Sequence, residues 1–353
     1  MQDNEIHNSV ELSRISKASF SSPSVKYGLL AIDGGGTRGI IPATIIEFLE
    51  EKSGRNFWDL FDFAAGCSTG GILVLASMLR RAKGMDLVAL YRSLAKEVFP
   101  YQRYLPISEY SPERLERLLK TEFEDMTMSP QLQDPLTFVV TKRDTETKPF
   151  LIRNYDNPSS KHQGDVGWKC FEAARATTAA PTYFKPLQKN DHNYTDGGIG
   201  FNNPVELLYD EAFARLSSDL NKNTFAVNEC PIAYIVSIGT GKMPDLPLTD
   251  PNTLPLFRLK NDIFNIVEQA SDSENAHQRM ENICQRLKIP YYRFNPNLEQ
   301  RANLTETTSL DEWCAQTKDY MNSNAEQVNQ LCALFSEKTC SMPGNSYMCQ
   351  KKK

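Results

Sequence analysis

The sequence predicts an α/β fold with layered helices and a mostly parallel sheet. Three observations carry this. Strand-like and helix-like segments alternate through most of the 353 residues. The strand candidates "YGLLAID", "LFDFAAG" and "IAYIVSIGTG" are short continuous apolar runs, as expected of strands covered on both faces. Glycine-rich turns lead from the first two of them straight into apolar helices.

Residues 1–25 are Ser-rich and polar and read as a flexible arm. From Lys26 the alternation begins. After "YGLLAID", the stretch "IIPATIIEFLEEKSG" places Ile41, Ile45, Phe48 and Leu49 at helical spacing, with Pro42 in the first turn and Gly54 as the stop. "LFDFAAG" is the next strand, and "GGILVLASMLRR" is an apolar helix directly behind it. "VALYRSLAKEVF" is a further helix. The 98–112 segment, "VFPYQRYLPISEYSP", is rich in Tyr, Phe and Pro. It reads either as a flap or membrane-facing edge or as a packed irregular connection, before "ERLERLLKTEF" turns helical. "PLTFVVTKRD" and "PFLIRNYD" are two strands of a hairpin. "VGWKCFEAARATTAA" is a helix running up to Pro181, and "NPVELLYDEAFARL" is a helix opened by Asn203 and Pro204. After the "IAYIVSIGTG" strand, 256–287 is one long helix or two, "YYRFNP" is a short strand, and 310–338 is helical. With no internal repeat and no long linker, the chain divides into the arm, a single domain over 26–337 and a tail over 338–353.

Composition narrows the function. The net charge is −5, and Lys and Arg are scattered apart from Lys351-Lys352-Lys353. That argues against nucleic acid as a partner, which would call for a basic footprint. No segment approaches the roughly 18–20 apolar residues of a membrane span, and the polar start lacks the apolar core of a signal peptide. The eight cysteines form no Cys-x-x-Cys pair and histidine is rare, so no metal site is expected. The expectation is a reduced, cytoplasmic chain, in contact with membranes only peripherally.

Three sites can carry chemistry. The first is "LLAIDGGGTRGI". Strand, glycines, then helix is an anion site, because loop amides and the helix N-terminus converge. Gly34, Gly36 and Gly39 satisfy the dinucleotide pattern, and "IDGGGT" is also like the phosphate loop of actin-like ATPases. The anion is therefore either a nucleotide phosphate or the transient oxyanion of an ester under attack. The second is "AAGCSTGG". Gly66-Cys67-Ser68-Thr69-Gly70 is a Gly-x-Ser-x-Gly elbow between an apolar strand and an apolar helix, which exposes the Ser68 hydroxyl at a helix N-terminus. Cys67 is the alternative nucleophile, or a small side chain tucked beneath. The third is "YTDGGIGFNNP", where Asp196 precedes Gly197 and Gly198. Alone it is a turn. Beside the elbow it supplies a base, since none of His7, His162, His192 and His277 sits in a segment that looks like a catalytic loop.

"DGGGTRGIIPATIIEFLE", "GCSTGG", "ARATTAAPTYF", "DGG" and "SIGTG" occur here in the order found in the patatin-like phospholipases, which the chain resembles over about residues 27–320. The resemblance implies a three-layer α/β/α sandwich and a Ser–Asp dyad without histidine. It makes Ser68 the nucleophile and Asp196 the general base. Gly34, Gly35 and Gly36 form the oxyanion hole, with Arg38 holding the loop or the anion. Gly66 and Gly70 support the elbow, and Gly197 and Gly198 the acid. The implied substrates are acyl esters of phospholipids, lysophospholipids or galactolipids, cleaved without metal or cofactor. An activating ligand or protein is a further partner class that some relatives use. Cys67 stands where the family most often has Thr.

Overall fold

The computed structural model describes residues 26–99, 110–129, 135–219, 230–244, 273–302 and 304–338. The 1–25 arm, most of the 98–112 segment, the first part of the 256–287 helical stretch and the tail with its terminal lysines lie outside the described residues.

In chain order the strands are β1 (Tyr27–Ile32), β2 (Phe63–Cys67), β3 (Thr127–Met128), β4 (Leu136–Arg143), β5 (Phe150–Arg153), β6 (Gln163–Asp165), β7 (Trp168–Lys169), β8 (Leu187–Lys189), β9 (His192–Asp196), β10 (Ile232–Ile238) and β11 (Tyr291–Phe294). The longer helices are α1 (Ile40–Ser53), α2 (Thr69–Val74), α3 (Gly84–Val98), α4 (Pro112–Phe123), α5 (Cys170–Thr177), α6 (Val205–Asp219), α7 (Ser273–Leu287), α8 (Leu310–Ser323) and α9 (Ala325–Glu337). The main sheet runs β11-β10-β1-β2-β4-β5-β6, with β9 pairing β4 and β8. From β11 to β4 every pairing is parallel. The β4–β5 hairpin is antiparallel, as its sequence suggests.

Strand alternation sorts the core into two layers. Leu30, Ile32 and Ala64 face one side, against Ile41 and Ile45 of α1, Ile72 of α2 and Leu90 of α3. Leu29, Ala31, Phe63 and Ala65 face the other, against Leu208 and Ala212 of α6 and Met280 of α7. Successive side chains of a strand point to opposite faces. With helices over both faces, all of these positions must be apolar, and the chain is a three-layer sandwich. The end of α1 follows its sequence signal. Gly54 takes the left-handed conformation at φ 63° and its N–H donates to the Glu50 carbonyl.

Several elements differ from the sequence reading, among them the short strands β3 and β6, which it does not contain. Trp168 and Lys169 pair with β3 before the helix begins at Cys170, so α5 is shorter than its helical pattern. The β8–β9 hairpin escapes the reading because "LQKNDHNYTD" carries little apolar alternation. Its signal is the Asn190-Asp191 turn, where both residues have positive φ, 51° and 60°.

A buried ion pair ties β5 to α6. Arg153 Nε and Nη2 donate to Glu211 Oε2 and Oε1 at 2.8 and 3.0 Å. Tyr155, Asn157 and Ser160 donate to the same carboxylate. Burial pushes the Glu211 pKa up, but the hydrogen bonds and charge of Arg153 outweigh it and hold the group below its usual range. Removing one member of such a pair strands the other charge away from water. Glu211→Ala is expected to lower unfolding free energy by about 3–5 kcal/mol, read by urea denaturation; a loss under about 1 kcal/mol would show the network to be dispensable.

Candidate active site

Ile32 of β1 lies opposite Gly66 of β2 and opposite Ile238 of β10. The C-terminal ends of the three strands therefore coincide, and their loops share one edge of the sheet. Asp196 arrives from the other direction. It ends antiparallel β9 opposite Thr141 of β4, and Val140 of β4 is paired with Cys67 of β2. The elbow and the acid are thus neighbours across β4.

The elbow is tight because its glycines leave no room for anything else. A Cβ on Gly66 would stand 2.2 Å from the Gly70 carbonyl oxygen, and one on Gly70 would stand 2.2 Å from the Ile32 carbonyl oxygen. Ser68 adopts φ 52° and ψ −122°, a strained conformation for a residue with a side chain. It is held there by Thr177 of α5, whose Oγ1 accepts from the Ser68 N–H at 2.9 Å and donates to the Val140 carbonyl at 2.6 Å. Thr69 and Tyr91 complete the brace: Thr69 Oγ1 donates to the Gly36 carbonyl at 2.6 Å, and Tyr91 donates its hydroxyl to the Thr69 carbonyl at 2.8 Å.

The glycine loop is fastened through the Gly34 N–H and through all three glycine carbonyls. Gly34 N–H donates to the Asn202 carbonyl at 3.2 Å, and the Gly34 carbonyl accepts from Thr240 Oγ1 at 2.8 Å and Asn202 Nδ2 at 3.2 Å. The Gly34 amide is therefore spent on the scaffold. Arg38 is buried and donates to the carbonyls of Gly35 and Gly241 at 3.4 and 3.5 Å, so it braces the loop from within. Gly36 has φ 61°, and a Cβ there would meet the Leu304 carbonyl oxygen at 2.1 Å. Among the described residues, the N–H groups of Gly35 and Gly36 have no acceptor.

Asp196 is 5% exposed. It accepts from the Gly198 N–H at 2.7 Å and weakly from the Cys67 thiol at 3.7 Å, and the Ser68 hydroxyl beside it also lowers its pKa. Burial raises its pKa to about 6, against the lowering effect of those hydrogen bonds. Burial also raises the Cys67 thiol well above its ordinary value, which keeps it protonated beside the acid. Gly197 packs against β4, where a Cβ would come within 2.8 Å of Val140 Cγ1. The described histidines are engaged elsewhere. His162 faces Asp210, His192 faces Asp144, and His277 stacks on Tyr291.

Ser68, Asp196, the three loop glycines, Arg38 and Gly198 line one cavity of about 370 Å³. Gly66, Gly70 and Gly197 stand behind it. One wall is apolar, with Ile72, Leu94, Phe99, Leu115 and Phe184. Its polar lining includes Thr240, Lys242, Glu274 and Asn295. Sequence reasoning missed Thr177, Asn202 and Thr240 as individual residues, although all three lie in or beside motifs it singled out. It also missed Arg293 of β11, which grips Asp33 at the root of the glycine loop.

A family model described as patatin-like phospholipase matches residues 30–209. Calcium-independent phospholipase A2-gamma of Rattus norvegicus is 28% identical over 337 residues, covering 88% of this chain and 40% of its own length. The 85/88 kDa calcium-independent phospholipase A2 of Mus musculus is 29% identical over 370 residues, covering 94% of this chain and 44% of its own. An intracellular phospholipase A2 of Caenorhabditis elegans is 28% identical over 334 residues, covering 89% and 30%. The chain thus spans less than half the length of these relatives.

The buried acid has a cost that can be measured. A folded-state pKa near 6, above the ordinary 3.8, means the folded chain holds the Asp196 proton more tightly than the unfolded chain does. Stability from this group is full below pH 4 and is lost as pH rises through 6, on the order of 3 kcal/mol in all. Asp196→Asn should therefore be more stable than the wild type to urea at pH 7.5, with the gap closing towards pH 4. Equal stability at pH 7.5 would contradict the burial cost.

Proposed function

The chain belongs to the patatin-like phospholipase family, and from that premise we propose that it is a lipid acyl hydrolase working through Ser68 and Asp196. The observation that carries this is a convergence in one cavity. A strained elbow serine and a buried carboxylate line it together, beside a glycine loop with two uncommitted amides.

Asp196 takes the Ser68 proton as the hydroxyl attacks the ester carbonyl. A free carboxylate with pKa near 4 is a poor base at neutral pH, but one raised to about 6 is far better matched to the task. The tetrahedral oxyanion is met by the N–H groups of Gly35 and Gly36, while Gly34 and Arg38 hold the loop in shape. Losing one such donor typically costs about 2.7–4 kcal/mol of transition-state stabilisation. The leaving alcohol takes the proton from Asp196, an acyl-enzyme remains on Ser68, and water repeats the sequence. The apolar wall formed by Ile72, Leu94, Phe99, Leu115 and Phe184 takes the fatty-acyl chain. The curated relatives are named phospholipases A2, which favours an acyl phospholipid as substrate. Contact with the bilayer is peripheral, at the cavity mouth, and the chemistry needs no metal, consistent with the relatives named calcium-independent.

Hydrolysis of a fluorogenic fatty-acyl ester and of mixed phospholipid vesicles tests the reading. Turnover should survive a calcium chelator and fall at least 1,000-fold, on the order expected for a lost nucleophile or base, in Ser68→Ala and Asp196→Ala. A serine-reactive phosphonate should label Ser68. Labelling without turnover would point to a competent site awaiting an activator. Activity that persists in Asp196→Ala and disappears on changing His192 or His277 would replace the dyad with a triad.

The same base sets the pH profile. Asp196 must be ionised to act, so kcat/KM should rise with pH, reach its plateau above about 6, and fall about tenfold for each pH unit below. A plateau extending down to pH 4.5 would remove Asp196 from the role of base.

A further inference from the structure

Arg293 lies far from Ser68 in sequence and does not line the cavity, yet its side chain ends at the glycine loop. Arg293 is in register with Ser237 of β10, and Ser237 with Ala31 of β1. The three share one row across the sheet, and Asp33, two residues beyond Ala31, points to the same face. The guanidinium reaches along that row. Its Nη1 donates to Asp33 Oδ1 at 3.0 Å and to Ser237 Oγ at 2.9 Å, and its Nη2 donates to Asp33 Oδ2 at 2.7 Å. Nη2 also donates to Oε1 of Glu274, a residue that lines the cavity, at 3.3 Å. Both side chains of the Arg293–Asp33 pair are under a tenth exposed.

The place of that ion pair matters more than its strength. Asp33 is the last residue before Gly34, and its N–H continues the sheet ladder to the Ile238 carbonyl at 2.9 Å. Its carboxylate is the charged side chain from which the loop departs. A bidentate guanidinium fixes a carboxylate in plane and in direction, which a monodentate ammonium does not. Backbone fixed at Asp33 fixes where the Gly35 and Gly36 amides aim. Catalytic donors are sensitive to this, since a misplacement of about 1 Å can cost about 100-fold in rate.

We infer that Arg293 is a positioning residue for the oxyanion loop, acting through its two-pronged clamp on Asp33; this rests on the acyl-hydrolase reading above. It touches neither substrate nor reacting atoms. Its removal should therefore lower kcat and leave KM and the ionisation of Asp196 unchanged.

The experiment compares wild type, Arg293→Lys, Arg293→Gln and the neutral pair Asp33→Asn/Arg293→Gln on the fluorogenic ester. Arg293→Lys keeps the charge and loses the second prong, and kcat should fall about tenfold with KM within twofold. Arg293→Gln should fall by about 100-fold or more, the size expected for a displaced oxyanion donor. The rate of phosphonate labelling at Ser68 should fall in step with kcat, while the acid limb of the pH profile stays near 6. The neutral pair guards against misfolding, because it leaves no stranded charge. It should recover the thermal midpoint that Arg293→Gln loses, and not its kcat. A folded Arg293→Lys and a folded neutral pair that both keep kcat within twofold of wild type would overturn the inference alone. A rise in KM at constant kcat would overturn it too, in favour of a substrate-binding role. A wild-type chain that neither turns over nor labels would overturn the functional reading, and this inference with it.

Discussion

The pairing of Ile32 with Gly66 on one side and Ile238 on the other is the constraint from which the cavity follows. Parallel strands in this register end together, so three loops leave the sheet at one edge. The backbones there come too close for side chains. Gly70 lies under the Ile32 carbonyl, and Gly66 lies under Gly70. The elbow is consequently pressed against the root of the glycine loop, and Ser68 has one direction in which to point. Shifting β1 against β2 by one residue would reverse the facing of every side chain on the strand and separate the two loops.

The polar chemistry is set by burial working against hydrogen bonds. Asp196 and Glu211 are both buried carboxylates, with opposite outcomes. Glu211 is met by a guanidinium and by hydroxyl and amide donors, so it is held below its usual range. Among the described residues Asp196 meets only uncharged groups, the Gly198 N–H, the Ser68 hydroxyl and the Cys67 thiol, and burial prevails. The difference lies in the cation. An arginine beside Asp196 would make it comfortable and useless as a base, whereas the neutral shell leaves it ionised near neutrality and still ready to accept a proton. Arg38, the cation of the loop, donates to the backbone carbonyls of Gly35 and Gly241.

Much of this was legible in the sequence. The apolar runs at 27–32, 63–67 and 232–238 fix their own burial, and the glycines at 34–36, 66 and 70 have few uses other than close approach. The parts that were not legible depend on long-range pairing. β8 and β9 are polar because one side faces water, so periodicity does not mark them. Thr177 and Thr240 look like any helix-end or turn threonine until the strands beside them are assembled. The pKa of Asp196 depends on a cavity wall contributed by several separate segments. Arg293 sits in a short strand that is ordinary in every respect except where its side chain reaches.

The Asp33–Arg293 contact joins residues 260 positions apart. A chain is made from its N-terminus at about 5–20 residues per second, so the glycine loop emerges early and its counter-charge tens of seconds later, when β11 appears at the far edge of the sheet. Until then a carboxylate that belongs in a dry interior has no partner there, and the loop has reason to stay in water. The elbow, the acid and the loop are all synthesised well before the residue that clamps the root of the loop.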